Sequence, residues 1–496
     1  MKILSIIPDI GPGGLTGAVL NRISLLAEAG NDASVVLYQF MPNFRQDVES
    51  KKQQGQLNER VHVHNPYDYF EKFYSTRKGY TPERITFPYQ YISHDSEEVI
   101  ESYFDDSLLL QAKVFRSIES RRLNRIQFFD ESSTLRKEEF YFGQKSPVIV
   151  RSFRNGSLTT ERYLSRNGFC YLRQEVDPTS GKFIGFWSWT HKGDLKFYKS
   201  IWDWRRDFVK NIVCKDSAQN VILCDGNNVP PQFLRMKSNR FRVVPIIHMN
   251  HRDVDGKLRR HYSAYFDRIN EFDSIICLTD GQATDLKNEF SVEVPIFVIP
   301  NRIRTSVSGV IAARNRDYDA VLVSRLEPGK GVGDAVRAFR HVVDKLPDAK
   351  LEIFGSGSEQ ELIEGLISQY VLSQNVKLRG ATNRPLQEMA NSKVFMFTSE
   401  SEGFGLTIAE SLSSGTPVVS FDCKYGPASL IDNSKTGFLV NNRDIEQMAG
   451  HVIDLLENDS LLDQFSLSAM EWFSKNLSDN AILNRWLYLF SEIESN

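Results

Sequence analysis

The strongest chemical signal in the chain is SESEGFGLTIAESLSSGTPVV, in which seven residues separate Glu402 from Glu410. Glu402 falls in the loop after the apolar run KVFMFTS, and Glu410 falls about two turns into a helix that starts near Gly405. Between them the N–H groups of Phe404, Gly405, Leu406 and Thr407 are first-turn donors without intrahelical acceptors, a positive end that suits an anionic oxygen. A carboxylate further along such a helix is placed to accept two vicinal ribose hydroxyls, and one in the loop to accept the hydroxyls of a sugar. The plainer alternative is a solvated Glu402 and a Glu410 paired with a nearby cation. Upstream, the run VLVS leads into Arg325, and Lys330 follows five positions later in RLEPGKG. A guanidinium fork and a compact ammonium at a strand end suit a diphosphate, although loop cations are also often merely solvated.

Two further groups fit the same chemistry. The turn Gly11-Pro12-Gly13-Gly14 lies between an apolar run and a helical pattern, where free N–H groups make an anion or oxyanion site. It lacks the full G-x-G-x-x-G and reads equally well as a tight turn without a ligand. His248, in IIHMNH, ends another apolar run. A cleft histidine can take or relay a proton or bond a sugar hydroxyl, whereas a lone strand-end histidine is more often structural. Asn250 and His251 are weaker candidates.

Such groups need a scaffold that brings strand ends together. Residues 1 to about 65 read as strand, Gly-rich turn, helix and strand, in KILSIIPDI, GPGG, TGAVLNRISLLAEAG and ASVVLYQF, a βαβ unit. From about Lys78 to Trp204 the segments SPVIVRSF, GFCYLRQEV, KFIGFWSW and DLKFYKSI are separated by turn residues, the texture of an antiparallel meander. Buried parallel strands resume in NVILCDG, FRVVPIIHMN, DSIICLTD and VPIFVIPN. A second α/β unit begins near Asp317 and alternates strand and helix to TGFLV, before an amphipathic helical tail from Ile445. The predicted fold class is α/β: two Rossmann-like domains facing a cleft, with an antiparallel β-meander domain inserted in the first. The expected boundaries are 1–77 and 205–305 for the split first domain, 78–204 for the insertion, 306–480 for the second domain and 481–496 for a terminal helix, with the interdomain joint near Asn301 to Arg316.

Composition bounds the function classes. A chain of 496 residues supplies two or three cores. Its 60 Lys plus Arg against 63 Asp plus Glu give a net charge of −3, so there is no global basic field for nucleic acid or an anionic membrane and any positive site must be local. Five cysteines without a C-x-x-C pair exclude a disulfide scaffold and a zinc ribbon, and read as buried thiols of a reducing compartment. Pro8 and Asp9 cut the first apolar run short of a signal-peptide core or a membrane span. The expectation is a cytoplasmic enzyme with at most peripheral contact at the inner face of a membrane.

The string E-G-F-G-L-T-I-A-E followed by S-G-T-P-V-V resembles the E-x7-E signature of GT-B glycosyltransferases of family 4. SRLEPGKG resembles that family's Arg/Lys diphosphate motif, FGSG the strand-turn that follows it, and VIPN its interdomain hinge. The resemblance implies a retaining hexosyltransferase that uses a UDP-sugar. It places Arg325 and Lys330 on the leaving diphosphate, Glu402 on the donor sugar, Glu410 on the ribose, and His248 toward donor sugar and acceptor. Arg325, Lys330, Glu402 and His248 are thus the expected catalytic residues. Gly13, Gly14, Ser324, Gly355, Gly380, Phe404, Gly405, Leu406 and Thr407 are expected around the nucleotide sugar with Glu410. No metal or other cofactor is implied, although Asp253-Val254-Asp255 is a D-x-D, the motif that holds a divalent ion in the other main glycosyltransferase fold.

The inserted β region, with GGLTGAVLNR and KKQQGQLNERVHVHNPYDYFE before it, resembles the bacterial poly(polyol-phosphate) α-glycosyltransferases of wall teichoic acid. That resemblance implies UDP-glucose or UDP-N-acetylglucosamine as donor, the hydroxyls of a glycerol- or ribitol-phosphate polymer as acceptor, and a homotrimer formed through the β domain. Two alternatives remain. Accessory-secretion protein O-N-acetylglucosaminyltransferases carry the same insertion, though their N-terminal loop departs from GPGG-L-T. A non-catalytic scaffold with a degenerate transferase fold is disfavoured by the presence of Arg325, Lys330, Glu402 and Glu410. An anionic acceptor calls for a local basic groove, for which RSIESRRLNR, IWDWRRDF in the inserted domain, and DGKLRRHY are candidates, unless they are ordinary solvated faces.

Overall fold

Runs such as KILSII, NVILC and FRVVPII are apolar on both faces and must be covered on both sides. In the computed structural model, which describes residues 1–495 apart from 87, 96, 227, 254 and 306–312, they lie in a seven-stranded parallel sheet. From one edge its strands are His62–His64, Asp32–Leu37, Lys2–Ile7, Asn220–Cys224, Phe241–Ile247, Ile275–Cys277 and Ile296–Val298. A second parallel sheet has six strands in the order Val376–Gly380, Leu351–Phe354, Tyr318–Val323, Ser392–Phe397, Val418–Phe421 and Gly437–Val440. In both sheets the spatial order runs third, second, first, fourth and onward. The direction of winding therefore reverses between the first and fourth strands, and a crevice opens there at the strands' carboxyl ends.

Between the third and fourth strands of the first sheet the chain builds a ten-stranded antiparallel sheet, from Tyr89–His94 to Leu195–Tyr198, each strand paired with its neighbours in sequence. All four segments read as a meander are strands of it. The segment IWDWRRDF is not: it forms the helix Ile201–Phe208, whose Ser200 and Asp203 make a reciprocal capping box. Its Trp204 is buried between Tyr67 and Phe70 of the first domain, so the expected boundary at 204/205 falls inside a helix of the first-domain core. The joint expected between Asn301 and Arg316 lies partly outside the described residues, at 306–312.

The terminal helix begins at Asp479, two positions before the expected boundary, and runs to Ser495. It crosses back to the first domain, where Ile482, Trp486, Leu489 and Phe490 join the cluster that holds Ile3, Val19 and Ile23. The Arg302 guanidinium bonds both carboxylate oxygens of Asp479, at 2.8 and 2.6 Å, and reaches Glu28 at 2.9 Å. Four of the five cysteines are buried and Cys170 is half-buried, all of them unpaired. No helix among the described residues is long and apolar enough to cross a membrane.

Trp486 is 2% exposed and seals the terminal helix against the first domain. Trp486→Ala should lower the unfolding free energy by about 3–5 kcal/mol in a denaturant titration. A change near zero would mean that this helix does not carry the interdomain packing.

Candidate functional site

The loops at the two reversal points face each other. In the second domain the first strand ends at Val323 and feeds Arg325 and Lys330, while the fourth ends at Phe397 and feeds Glu402. Gly331 lets these loops touch, because a Cβ there would lie 2.2 Å from the Thr398 carbonyl oxygen. The Thr398 hydroxyl donates to the Lys330 carbonyl at 3.0 Å, and the Glu400 N–H donates to the Gly329 carbonyl at 2.9 Å. The Lys330 ammonium then pairs with the Glu402 carboxylate, both largely shielded. Arg325 is exposed, and its guanidinium makes no hydrogen bond or close ion pair among the described residues, its charge acting on Glu327 only from a distance.

Glu402 leads into the helix Leu406–Ser413, whose N-cap Gly405 adopts φ +87°, a conformation suited to glycine. No side chain caps this helix and no acidic residue lies in its first turn, so the N–H groups of Leu406 and Thr407 point outward uncompensated. Glu410 is the fifth residue of the helix, little more than one turn in, because the helix starts at Leu406 and the preceding loop takes up the rest of the spacing. Its carboxyl has no hydrogen-bond or ionic partner among the described residues, and burial pushes its pKa up to about 7.

The first domain supplies the facing wall. The helix Gly14–Glu28 follows the first strand, with Gly13 as an N-cap that offers no side-chain bond and with no acid in the first turn. A Cβ on Gly14 would stand 3.5 Å from Leu406, so two uncapped helix starts converge from opposite domains. His248 directly follows the strand Phe241–Ile247, and its Nε2–H donates to the Asp225 carboxylate at 2.7 Å. Asp225 directly follows the fourth strand, is fully buried, and also receives the Arg22 guanidinium at 3.0 Å. Burial alone would raise the Asp225 pKa, but Arg22 and His248 hold it below the usual carboxylate range. Because an ionised carboxylate only accepts, the neutral His248 ring keeps its proton on Nε2 and leaves Nδ1 as its acceptor atom.

Direct contacts lock the two walls together. A Cβ on Gly403 would lie 2.0 Å from the His248 carbonyl oxygen; within the second domain, one on Gly426 would lie 2.1 Å from that of Phe404, which fixes the loop that carries Gly403. Asn250 donates to Ser401 at 3.2 Å, and Lys424 and Tyr425 both bond Asp285, at 2.6 and 2.9 Å. His251, fully buried, stacks on Tyr425 and bonds Glu289 at 3.2 Å, which makes it a packing residue of the domain contact.

The remaining candidates separate. Ser324, Gly355 and Gly380 lie at neighbouring strand ends: a Cβ on Gly355 would be 1.8 Å from the Ser324 carbonyl oxygen, and the Gly355 N–H donates to Gly380 at 2.8 Å. Close strand packing is reason enough for the glycine at 355. Phe404 is buried under the helix start. In the D-x-D triplet the Asp253 carboxylate accepts the N–H groups of Asp255 and Lys257, at 3.0 and 2.9 Å, and Val254 lies outside the described residues. The described residues contain no cluster of three or more potential metal ligands. Sequence reasoning passed over Asp225 and Arg22. The available signals were an aspartate at a fourth-strand end and an arginine on the apolar face of a helix, next to Ile23 and Leu26.

Residues 305–472 match the family described as glycosyl transferases group 1. The chain is 26% identical to the poly(ribitol-phosphate) α-N-acetylglucosaminyltransferase of Staphylococcus aureus, over 97% of its own length and 98% of that protein's. It is 25% identical to the poly(glycerol-phosphate) α-glucosyltransferase of Bacillus subtilis, over 97% of this chain and 73% of that one. The crystal structure of a mutant of S. aureus TarM in complex with fondaparinux, α-GlcNAc-glycerol and UDP matches with a TM-score of 0.85 at 24% identity, covering 99% of this chain and 100% of that one. The fold is that of the GT-B glycosyltransferases.

The Glu410 carboxyl gives a pH signature. With its pKa raised from 4.5 to about 7, the folded chain keeps a proton that the unfolded chain has lost. This group therefore favours the folded state below about pH 4.5 relative to higher pH, and the advantage is lost as pH rises to about 7. Glu410→Gln removes the titration, so its stability relative to wild type should rise by about 3 kcal/mol between those limits, read from denaturation midpoints across pH. Parallel pH profiles would contradict a desolvated Glu410.

Proposed function

We propose that this chain, whose residues 305–472 match the group 1 glycosyl transferases, moves an α-linked glucose or N-acetylglucosamine from a UDP-sugar to hydroxyls of a polyol-phosphate polymer of the wall teichoic acid type, with retention. The observation that carries this reading is the convergence at one cleft of two uncapped helix starts, an exposed Arg325 without a hydrogen bond, Lys330, and a half-buried, desolvated Glu410 without a partner among the described residues. The polyol-phosphate acceptor is preferred to a protein one because the two relatives that align over 97% of the chain are both named for polyol-phosphate polymers.

In this reading Arg325, Lys330 and the N–H groups of Leu406 and Thr407 take the charge that develops on the departing UDP. The acceptor hydroxyl attacks the anomeric carbon on the face UDP leaves, and a β-phosphate oxygen takes its proton, so no covalent sugar–enzyme bond forms. Catalysis is then chiefly electrostatic and positional. The Lys330–Glu402 pair links the two subsites: a phosphate that captures Lys330 releases Glu402 to bind sugar hydroxyls. Glu410, once ionised, accepts the two ribose hydroxyls. His248 presents Nδ1 to the sugar or acceptor, oriented from behind by Asp225. Gly13 and Gly14 let the diphosphate approach the first helix. The cations and helix starts supply the positive charge that a metal supplies elsewhere, so no metal is required.

The antiparallel sheet serves self-association as a homotrimer. Its edge strand Tyr89–His94, with Tyr91 64% and Ile92 53% exposed, supports this role. The expected location is cytoplasmic, at most peripheral to the inner membrane face.

Incubating the enzyme with each UDP-sugar and each purified polymer, and scoring transfer by mass, tests the reading directly. Lys330→Ala and Glu402→Ala should each lower UDP release by about 100-fold or more. Wild-type turnover no higher than theirs would leave the degenerate-scaffold alternative standing. Gly403→Ala forces the main chain away from His248 and should lower kcat/KM by about 100-fold while the thermal midpoint changes little. Full activity in that variant would show that the domain contact does not set the site.

A further inference from the structure

Of the basic runs expected to line an acceptor groove, RSIESRRLNR and DGKLRRHY spend part of their charge locally, while IWDWRRDF forms the helix Ile201–Phe208. Arg116 pairs with Glu101 and Arg125 with Glu98, while Arg259 donates to the carbonyls of Asn250 and Arg252. A basic recess with that helix as one wall opens at the seam where the antiparallel sheet returns to the first domain. It is a groove of about 800 Å³ between the edge strand Leu195–Tyr198, the helix Ile201–Phe208 and the segment that leads into the strand Phe241–Ile247. Seven cationic side chains line it against two carboxylates, on a chain whose net charge is −3.

Four of those cations have partners. Lys196 pairs with Asp207 and Arg206 with Asp203, while Lys237 and Arg240 donate to main-chain carbonyls. Lys199, Lys210 and Arg235 have no hydrogen bond or opposite-charge partner among the described residues, and they stand at three separate places along the chain around the recess. Arg206 lies near enough to Arg235 for the like charge to add to burial in lowering its pKa, against the pull of Asp203. Such excess positive charge, held together by the fold, is relieved by a polyanion. Phe197, 44% exposed, and Met236 give the recess apolar surface for the carbons between phosphates.

We propose that this seam groove is a second, non-catalytic binding site for the polyol-phosphate chain, holding a run of its phosphodiesters away from the reacting unit. The inference rests on the acceptor class proposed above. The strand Phe241–Ile247 separates the two places: Phe241, at its start, lines the groove, and His248, just past its end, faces the cleft. At about 3.3 Å per residue the separation is about 20 Å, a distance that a flexible polymer of many repeats spans and a short acceptor does not. A groove of about 800 Å³ walled by a strand, a helix and a loop suits a chain laid along it better than a flat lipid surface.

The test compares the wild-type enzyme with the triple variant Lys199→Glu, Lys210→Glu, Arg235→Glu, and with the corresponding triple glutamine variant as a milder check on folding, thermal midpoints being recorded for all three. Purified poly(glycerol phosphate) of many repeats and a two-repeat fragment serve as acceptors. The groove predicts a KM for the long polymer at least about tenfold higher in both variants, with KM for the fragment and for the UDP-sugar within about twofold of wild type. It also predicts that raising ionic strength erases the long-polymer advantage of the wild type. An unchanged long-polymer KM in folded variants overturns the groove while leaving the transfer reading intact. Wild-type binding of the long polymer that is lost in the variants, without sugar transfer to either acceptor, overturns the transfer reading and keeps the groove. Loss of co-sedimentation with phosphatidylglycerol vesicles while polymer KM is unchanged assigns the charge to a lipid surface and overturns the proposal.

Discussion

The cleft depends on one steric contact, the main chain of Gly403 against the carbonyl oxygen of His248, with no room for even a Cβ between them. Gly403 lies between Glu402 and the helix that starts at Leu406, so the contact fixes a carboxylate and a pair of N–H donors at once. From the other side it fixes the strand end that carries His248. Gly426 makes an equally close contact inside the second domain, against the Phe404 carbonyl oxygen, and so holds the loop that carries Gly403. Glycine is needed at both positions because of this closeness, and Gly403 has an ordinary negative or extended φ. The two reversal points thereby become one site.

Electrostatics follows from that geometry. Helix starts need negative partners, and neither of the two that meet here has an acidic residue or a side-chain cap of its own. The charge balance is completed where it can still respond to a ligand: Lys330 is held by Glu402, while Arg325 makes no close ion pair among the described residues. Behind His248 the opposite rule applies. Asp225 is fully buried and matched by Arg22, whose guanidinium lies over the Trp486 ring of the terminal helix, 5.5 Å from its centre. A buried pair of this kind adds little net stability, but it orients what it touches, and here it touches a cleft histidine. The terminal helix thus closes the core and backs one wall of the site.

Much of this was legible beforehand. Parallel strands announced themselves as short runs apolar on both faces, and the meander as alternation broken by turn residues, since each pattern reflects which faces must be buried. Glu402, Glu410, Arg325 and Lys330 stood out because their spacing relative to strand ends and a helix start is a local matter. The first half of the helix Ile201–Phe208 was placed in the inserted domain because its aromatic residues mimic the strands before it, and its capping box is a weaker signal than its composition. Asp225 and Arg22 were missed because they are 203 residues apart and meaningful only as a pair.

The sequence by itself determined the α/β class, the split first domain, the glycine-rich turns and the residues able to carry charge at strand ends, because burial patterns and turn chemistry are written within a few residues of each position. Only the tertiary structure decided which of those residues meet. It paired Lys330 with Glu402, left Glu410 desolvated without a partner, set Asp225 behind His248, and gathered Lys199, Lys210 and Arg235 around a recess that no single basic run foretells. The physical reason is that Coulomb interaction and desolvation depend on distance in space, and chain separation does not encode that distance until the sheets have packed.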